Sequence, residues 1–530
     1  MQQGCGWRRR RRTIATAGII AVALAFGGEA EAAGVLKRGL IGPIATLDPQ
    51  KAATSSETAL LIDLFDGLVI RDAAGKLIPG AADSWTISPD GLTYTFTLRA
   101  GARWSNGDAV KASDFVASFR RLFDPATEAT EDGPLQVIVN AGAIKSGFAK
   151  PDTLGVSATD DRTLVIRLDK VTPTFLERLA APAALPVNVA AAKKLATQWN
   201  SGAKLVSNGA YGLGTSGARS GYVLAANPRR TGPGAPAIDS VIYRPFEDAA
   251  ACLAAYRAGE VDVCPDVPTA DLAGLKAEFG PALHVAPYAG TYFYAVNTTR
   301  KPFDDARVRR ALSLAVDREA LAAAAWSGGM LPASDLVPPA LSPLPQPQLG
   351  PIAARRSEAR ALLAAAGYGP GKPLKLSIRV GSGVAHETTA KLVLADWAAI
   401  GVEGRVVTEP EGSHFGALRD GAEFDLAFAG WIADEPDALD MLDLLKSGGR
   451  FNYGRYANSG YDALLASADV ETDPARRTDT IGKAEQIVRQ DAPVIPLLRY
   501  AALGLVSPKV TGWTDNLLDQ HPSRTLGLSD

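Results

Sequence analysis

Histidine, cysteine, serine and carboxylate side chains could carry catalysis or hold a metal, and their spacing in this 530-residue chain favours neither. The four histidines, His284, His386, His414 and His521, form no i, i+4 pair and have no cysteine ligand set beside them, which argues against the common zinc arrangements. No G-x-S-x-G elbow presents a nucleophile. No P-loop is present either, because Gly371-Lys372 runs into Pro373 without the upstream glycine. Gly212-Leu-Gly-Thr-Ser-Gly217 has the spacing of a dinucleotide loop. That loop needs a strand before it and a helix after it, whereas Arg219–Pro228 reads as turn and strand. Carboxylates are plentiful, but none forms an isolated pair set for acid–base work. The residues point to no metal, no cofactor and no enzyme.

Two further groups have a chemistry set by context. Taken alone, Asp434, followed by Glu435-Pro436-Asp437, reads as a helix N-cap with an early proline and an acidic first turn. Trp431, just before it, reads as core. Cys252 and Cys264 lie on a helix stopped by Gly259 and on the strand-like run Glu260–Cys264. In an oxidising compartment they form a disulfide closing a short loop, worth about 3 kcal/mol.

That compartment is signalled at the N-terminus. Met1–Ala33 carries Arg8–Arg12, then the apolar run Ile14–Phe26, then Ala30-Glu-Ala32-Ala33. This is the order of a cleavable secretory signal, with cleavage near Ala32-Ala33. The apolar run falls short of the ~20 residues of a spanning helix. Arg11-Arg12 leaves both the general and the twin-arginine export routes open. Cys5 precedes the basic run and is poorly placed for a lipid anchor. Removing five Arg and two Glu leaves 50 basic and 55 acidic residues, a net charge of −5. No basic stripe suggests nucleic acid, no later run suggests a membrane span, and a monomer is expected.

Helical and strand signals alternate throughout, the pattern of α/β lobes, and the length calls for more than one core. Leu92–Arg99 is a period-two strand led by the turn Pro89-Asp-Gly91, and Ala112–Phe123 is an amphipathic helix. Val308–Ala325 reads as one helical segment. Ser357–Ala366 reads as a helix capped by Ser357 and ended by Gly367, and Lys391–Ile400 as another before Gly401. The proline-dense Leu331–Pro351 reads as a surface excursion or hinge-side loop, not a core element.

Several segments, in order over nearly all of the mature chain, resemble the extracellular solute-binding proteins of the oligopeptide/dipeptide-binding family. They include Leu47-Asp-Pro49, Asp63–Leu68, Ser84–Arg99, Trp104-Ser-Asn-Gly-Asp108, Ser207-Asn-Gly-Ala-Tyr211 and Gly259-Glu-Val-Asp262. Further along come Tyr292–Asn297 running into Val308–Arg318, then Ala429–Asp434, Tyr461–Leu465 and Asp491–Pro496. The resemblance implies a three-lobe periplasmic-binding-protein-like fold, in which two lobes close like a trap and a third is inserted. The implied partition is a signal peptide at 1–33, lobe I at 34–70, 188–290 and 502–530, lobe II at 71–187, and lobe III at 291–501.

The resemblance also implies a function: capture of a peptide or peptide-like ligand in the periplasm and its delivery to the inner-membrane permease of an ABC importer. In peptide-binding members, the aspartate matching Asp434 pairs with the ligand's α-ammonium. A buried ammonium is costly without a carboxylate, so one fixed aspartate sets where the peptide starts. Main-chain groups of Gly430 and Ile432 then pair with the peptide as an added strand, and Trp431 supplies an apolar wall. Fainter candidates are Thr54 and Ser55, Tyr292, Phe293 and Tyr294, Asn452 and Tyr500. Two departures stand out. Phe428 occupies the place of an arginine in some members, and no pocket aromatic is evident in Glu411-Gly-Ser-His-Phe415. Alternatives on the same scaffold are a nickel chelate, haem, an oligosaccharide or an opine. The alternative of another class is a secreted peptidase or hydrolase.

Overall fold

The computed structural model describes residues 34–195, 204–217, 221–410 and 412–529. The export segment, Met1–Ala33, lies outside them. An eleven-stranded mixed sheet runs through the molecule. Its order is Val402–Glu409, Leu374–Gly381, Leu426–Ile432, Leu283–Val296, Val494–Val506, Val263–Cys264, Val35–Ile41, Ser240–Phe246, Gly221–Ala226 and Tyr211–Gly217, with Met330–Pro332 also paired to Val494–Val506. Chain-distant segments therefore lie side by side, as the alternating helix and strand signals require.

The two longest strands, Leu283–Val296 and Val494–Val506, carry the sheet from one half to the other. They pair antiparallel, and their register slips between Pro287 and Thr291. On one side of the slip the sheet packs on Leu36, Leu60, Leu64, Tyr211 and Tyr243. On the other it packs on Val308, Leu312, Ile378 and Trp397. A separate four-stranded antiparallel sheet, Ala82–Ile87, Thr93–Leu98, Thr163–Arg167 and Val156–Ala158, has its own core. The helix Ala112–Phe123 covers that core with Phe115, Phe119 and Leu122, which recur at the three-to-four-residue spacing of a single helix face.

Local signals explain most boundaries. Gly91 and Gly107 take φ of +72° and +95° in the two turns, and buried Trp104 donates its indole N–H to Asp114 at 3.0 Å. Cys252 and Cys264 are brought together, with Cα atoms 6.0 Å apart, between the helix Ala249–Arg257 and the strand Val263–Cys264. Gly212–Gly217 belongs to a strand that pairs antiparallel with Gly221–Ala226, so no helix follows and a dinucleotide cannot be held as that motif holds it.

Several boundaries differ from expectation: the helix expected from Lys391 begins earlier, at Val384, and the run expected as an excursion from Leu331 starts within the strand Met330–Pro332 and buries Ala333, Leu336 and Val337. The segment expected as one helix is two, Ala306–Ala315 and Arg318–Trp326, because Asp317 caps the second by accepting from Ala320 N at 3.1 Å. The helix expected from Ser357 begins at Ile352, just after Pro351, which places Ser357 inside it. No helix among the described residues is long and apolar enough to cross a membrane.

Candidate functional site

Gly430, Trp431 and Ile432 end the strand Leu426–Ile432, and Asp434 lies just beyond it. One edge of this strand pairs with Leu283–Val296 along its whole length. The other edge pairs with Leu374–Gly381 only at Leu426 and Ala427. Ala433 N donates to Ala289 O at 2.7 Å, so Ala433, Trp431 and Ala429 aim their main-chain groups inward. By the alternation of an antiparallel ladder, Phe428, Gly430 and Ile432 aim theirs outward. His414 Nε2–H donates to Phe428 O at 2.9 Å, which leaves Gly430 and Ile432 as an open edge among the described residues.

Side chains around the edge explain its sequence. A Cβ on Gly430 would lie 2.4 Å from Tyr500 Oη, and one on Gly290 would lie 2.8 Å from Tyr500 Cδ2. The half-buried Tyr500 ring thus rests on two glycines set diagonally across the paired strands, Gly290 opposite Ile432 and Gly430 opposite Tyr292, and burial pushes its phenol up to about 12. Trp431 donates its indole N–H to Asp440 Oδ1 at 2.7 Å and packs on Phe451, 4.8 Å between ring centroids. Ile432 is 45% exposed.

Four carboxylates follow the strand, and three are engaged. Glu435 meets Arg178 at 2.7 Å. Asp437 accepts from Leu439 N at 2.7 Å and pairs with Arg477 at 2.6 Å. Asp440 holds Trp431. The cap of the helix Ala438–Asp443 is therefore Asp437, not Asp434 as the isolated sequence suggests. Among the described residues no hydrogen bond or ion pair engages the exposed Asp434 carboxyl, and partial desolvation by the surrounding protein raises its pKa. For Asp440, burial is the main cause of a rise to about 6; the Trp431 hydrogen bond opposes it, and the charges of Asp434 and Glu435 add to it.

Other expected ligand residues have different surroundings. Tyr292 and Tyr294 are fully buried, Phe293 is 5% exposed, and the three alternate into two cores on opposite faces of the strand. Tyr292 stacks on Phe428 at 4.4 Å, and its hydroxyl lies 3.1 Å from His386 Nδ1. In this arrangement all three side chains are packed into the interior. Asn452 closes its own loop, donating to Leu445 O, Lys446 O and Tyr456 O at 3.3, 2.9 and 2.7 Å and accepting from Tyr456 N at 3.1 Å. It has no group left for a ligand carbonyl.

Thr54 caps the helix Ser55–Leu64 in a reciprocal box with Glu57. Burial pushes the Glu57 carboxyl up, but hydrogen bonds from Ala53, Thr46 and Ala45 N–H outweigh it, so its pKa falls below the usual range. Glu57 thereby fixes the loop that presents Ser55. The signal was available, since Thr54-Ser-Ser-Glu57 is a capping-box pattern.

Past Tyr500 and Gly290 the two long strands line a cavity of about 630 Å³, and Ser55 is also part of its lining. Its lining comes from segments hundreds of residues apart, so no local motif announces it. Among the described residues, no three His, Cys, Asp or Glu side chains converge to hold a metal.

Residues 76–453 match the model of the bacterial extracellular solute-binding proteins, family 5. The chain belongs to this family. Its α/β periplasmic-binding fold is the one expected from the sequence, and the family is one of binding proteins rather than enzymes. The chain is 34% identical over 523 residues to the periplasmic oligopeptide-binding protein OppA of Escherichia coli strain K12, covering 95% of this chain and 96% of that one. The unliganded open form of the murein tripeptide-binding protein MppA superposes with a TM-score of 0.89 at 33% identity, over 94% of this chain and 97% of that one. Another structure of MppA from Escherichia coli gives 0.66 at 33% identity, over 94% and 98%. OppA of Haemophilus influenzae in complex with RPPGFSPFR gives 0.65 at 32% identity, over 94% and 100%. Of these three structures, the unliganded open form superposes best on the present one.

Proposed function

We propose that this protein is the periplasmic substrate-binding component of an ABC importer, and that its ligand is a short peptide or peptide-like compound. The observation that carries this reading is Asp434, the one carboxylate of its cluster without a partner among the described residues, beside an open strand edge. A free α-ammonium fits that carboxylate, and a ligand main chain fits the outward groups of Gly430 and Ile432. Trp431 and Tyr500 flank the same edge with apolar surface, and Ser55 approaches from the opposite half. Relatives named for oligopeptides and a murein tripeptide support the ligand class.

The remaining assignments follow from this role. Residues 1–33 direct export and are removed near Ala32-Ala33, and the Cys252–Cys264 bond forms after export. Lobe I comprises 34–70, 188–290 and 502–530, lobe II 71–187, and lobe III 291–501. A monomer binds ligand in the open state, closes by movement about the two long strands, and docks on its permease. Ligand drives closure only through contacts it makes better in the closed state. The test is calorimetric titration of Ala-Ala-Ala into the parent protein and Asp434→Ala. The variant is expected to lose at least about 30-fold in affinity, roughly 2 kcal/mol, because it strands an ammonium. Equal affinity in the two proteins refutes the anchoring role, and recovery of cleaved peptide refutes the binding-protein role.

A further inference from the structure

We infer that the cavity beyond Tyr500 is a second recognition subsite, selective for a cationic organic group on the ligand such as a primary ammonium or a guanidinium. The inference rests on the peptide reading above, because the cavity continues the open edge. Ala501–Gly504 follow Tyr500 on one long strand, Ala286 and Tyr288 precede Gly290 on the other, and Ser55 also lines the space. At about 630 Å³ the space admits a whole long side chain with water around it.

Its charge decides the class of ligand. Asp266, Asp515 and Asp519 line it, and among the described residues that line it Arg38 is the only lysine or arginine. That guanidinium is 7% exposed and is already engaged, donating from Nη1 to His521 O at 2.7 Å and to Ser523 Oγ at 2.9 Å. The two imidazoles are also engaged. His284 Nδ1 lies 2.9 Å from Asp515 Oδ1, and His521 Nε2 lies 3.0 Å from Asp519 Oδ1. Trp513 Nε1 and Val267 N donate to Oδ1 of Asp515 and Asp266. Among the described residues, every hydrogen bond on these three carboxylates therefore falls on Oδ1, and their Oδ2 atoms remain to accept from a ligand. Burial raises the pKa of Asp266, and the charge of Asp519 adds to the rise, a repulsion that a cation between them relieves. Trp513, stacked on His521 at 3.7 Å, and Tyr288 add aromatic surface suited to an organic cation. Because no three of these groups converge as metal ligands do, the geometry points to a hydrogen-bonding cation rather than a metal ion.

The experiment titrates Lys-Ala-Ala, Ala-Lys-Ala and Ala-Ala-Lys against their norleucine counterparts, which keep the length and remove the charge. Ala-Ala-Ala serves as the reference within each protein. At one or more positions lysine is expected to bind about tenfold tighter than norleucine. That ratio is expected to fall to near one in Asp266→Asn combined with Asp519→Asn, and to drop in Asp515→Asn alone. Ratios are read within each variant, so a general loss of affinity does not mimic the result. A ratio near one at every position in the parent, with Ala-Ala-Ala still bound, overturns the subsite and leaves the peptide reading standing. A lysine preference that survives all three substitutions overturns it too. Failure of every tripeptide to bind removes both readings.

Discussion

Replacing Gly430 by alanine inserts a methyl group where the structure already holds the Tyr500 hydroxyl. The added Cβ would sit 2.4 Å from Oη, roughly 1 Å inside van der Waals contact, while the next atoms, Cζ and Cε2, lie at 3.4 and 3.6 Å. The clash is therefore with one atom. Gly430 is not among the glycines of positive φ, so alanine meets no backbone strain there. The ring cannot simply tilt toward the strands, because it also rests on Gly290. Gly430→Ala is expected to cost about 1–3 kcal/mol of stability, the usual penalty of overpacking. In a Tyr500→Phe background the same change meets ordinary contacts and costs little, because alanine also restricts the unfolded chain. The coupling energy of the cycle is then about 1–2 kcal/mol. Urea unfolding of the four proteins, followed by tryptophan fluorescence, measures it. Equal cost of Gly430→Ala in both backgrounds refutes the claim that the glycine exists to admit Tyr500.

Two other predictions concern neighbouring side chains. Asp440, raised to about 6 chiefly by burial, favours its protonated form in the fold; its contribution to stability is complete below about pH 4 and is lost as pH rises through 6. Asp440→Asn stays neutral and still accepts from Trp431, so it should match the parent at pH 4 and exceed it at pH 8 by about 1–2 kcal/mol, a figure discounted for partial solvation. Melting at the two pH values checks this, and an increment independent of pH refutes it. Asn452→Ala removes the amide donor from Leu445 O and Tyr456 O, while Lys446 O keeps Gly449 N at 2.9 Å, and should cost about 1–3 kcal/mol of stability, while Ala-Ala-Ala affinity changes by less than about threefold. A variant of parental stability and much weaker binding would restore Asn452 to the ligand site.

Local patterns carried the fold well where one face of an element is buried and the other is wet. Thr93–Leu98 and Ala112–Phe123 are examples, as their period shows in the side chains themselves. Strands covered on both faces are harder. Tyr292, Phe293 and Tyr294 are all apolar-bodied because both faces are core, and sequence alone cannot separate that from a ligand wall. Asp434 and Asp437 are both competent caps by type, and only the observed start of the helix assigns the role to Asp437. The break at Asp317 was legible as a cap but was masked by continuous helical character on both sides. The cavity was not legible, since Arg38, Ser55, Asp266 and Asp519 meet only through the sheet order.

The central claim is that Asp434 receives the free ammonium of a peptide. Calorimetry of Ala-Ala-Ala and its N-acetylated form, on the parent and on Asp434→Ala, tests it most directly. Acetylation removes the charge and leaves the main chain, so it should weaken binding to the parent about 30-fold or more and binding to the variant only slightly. Equal affinity of the free and acetylated peptides for the parent would contradict the account.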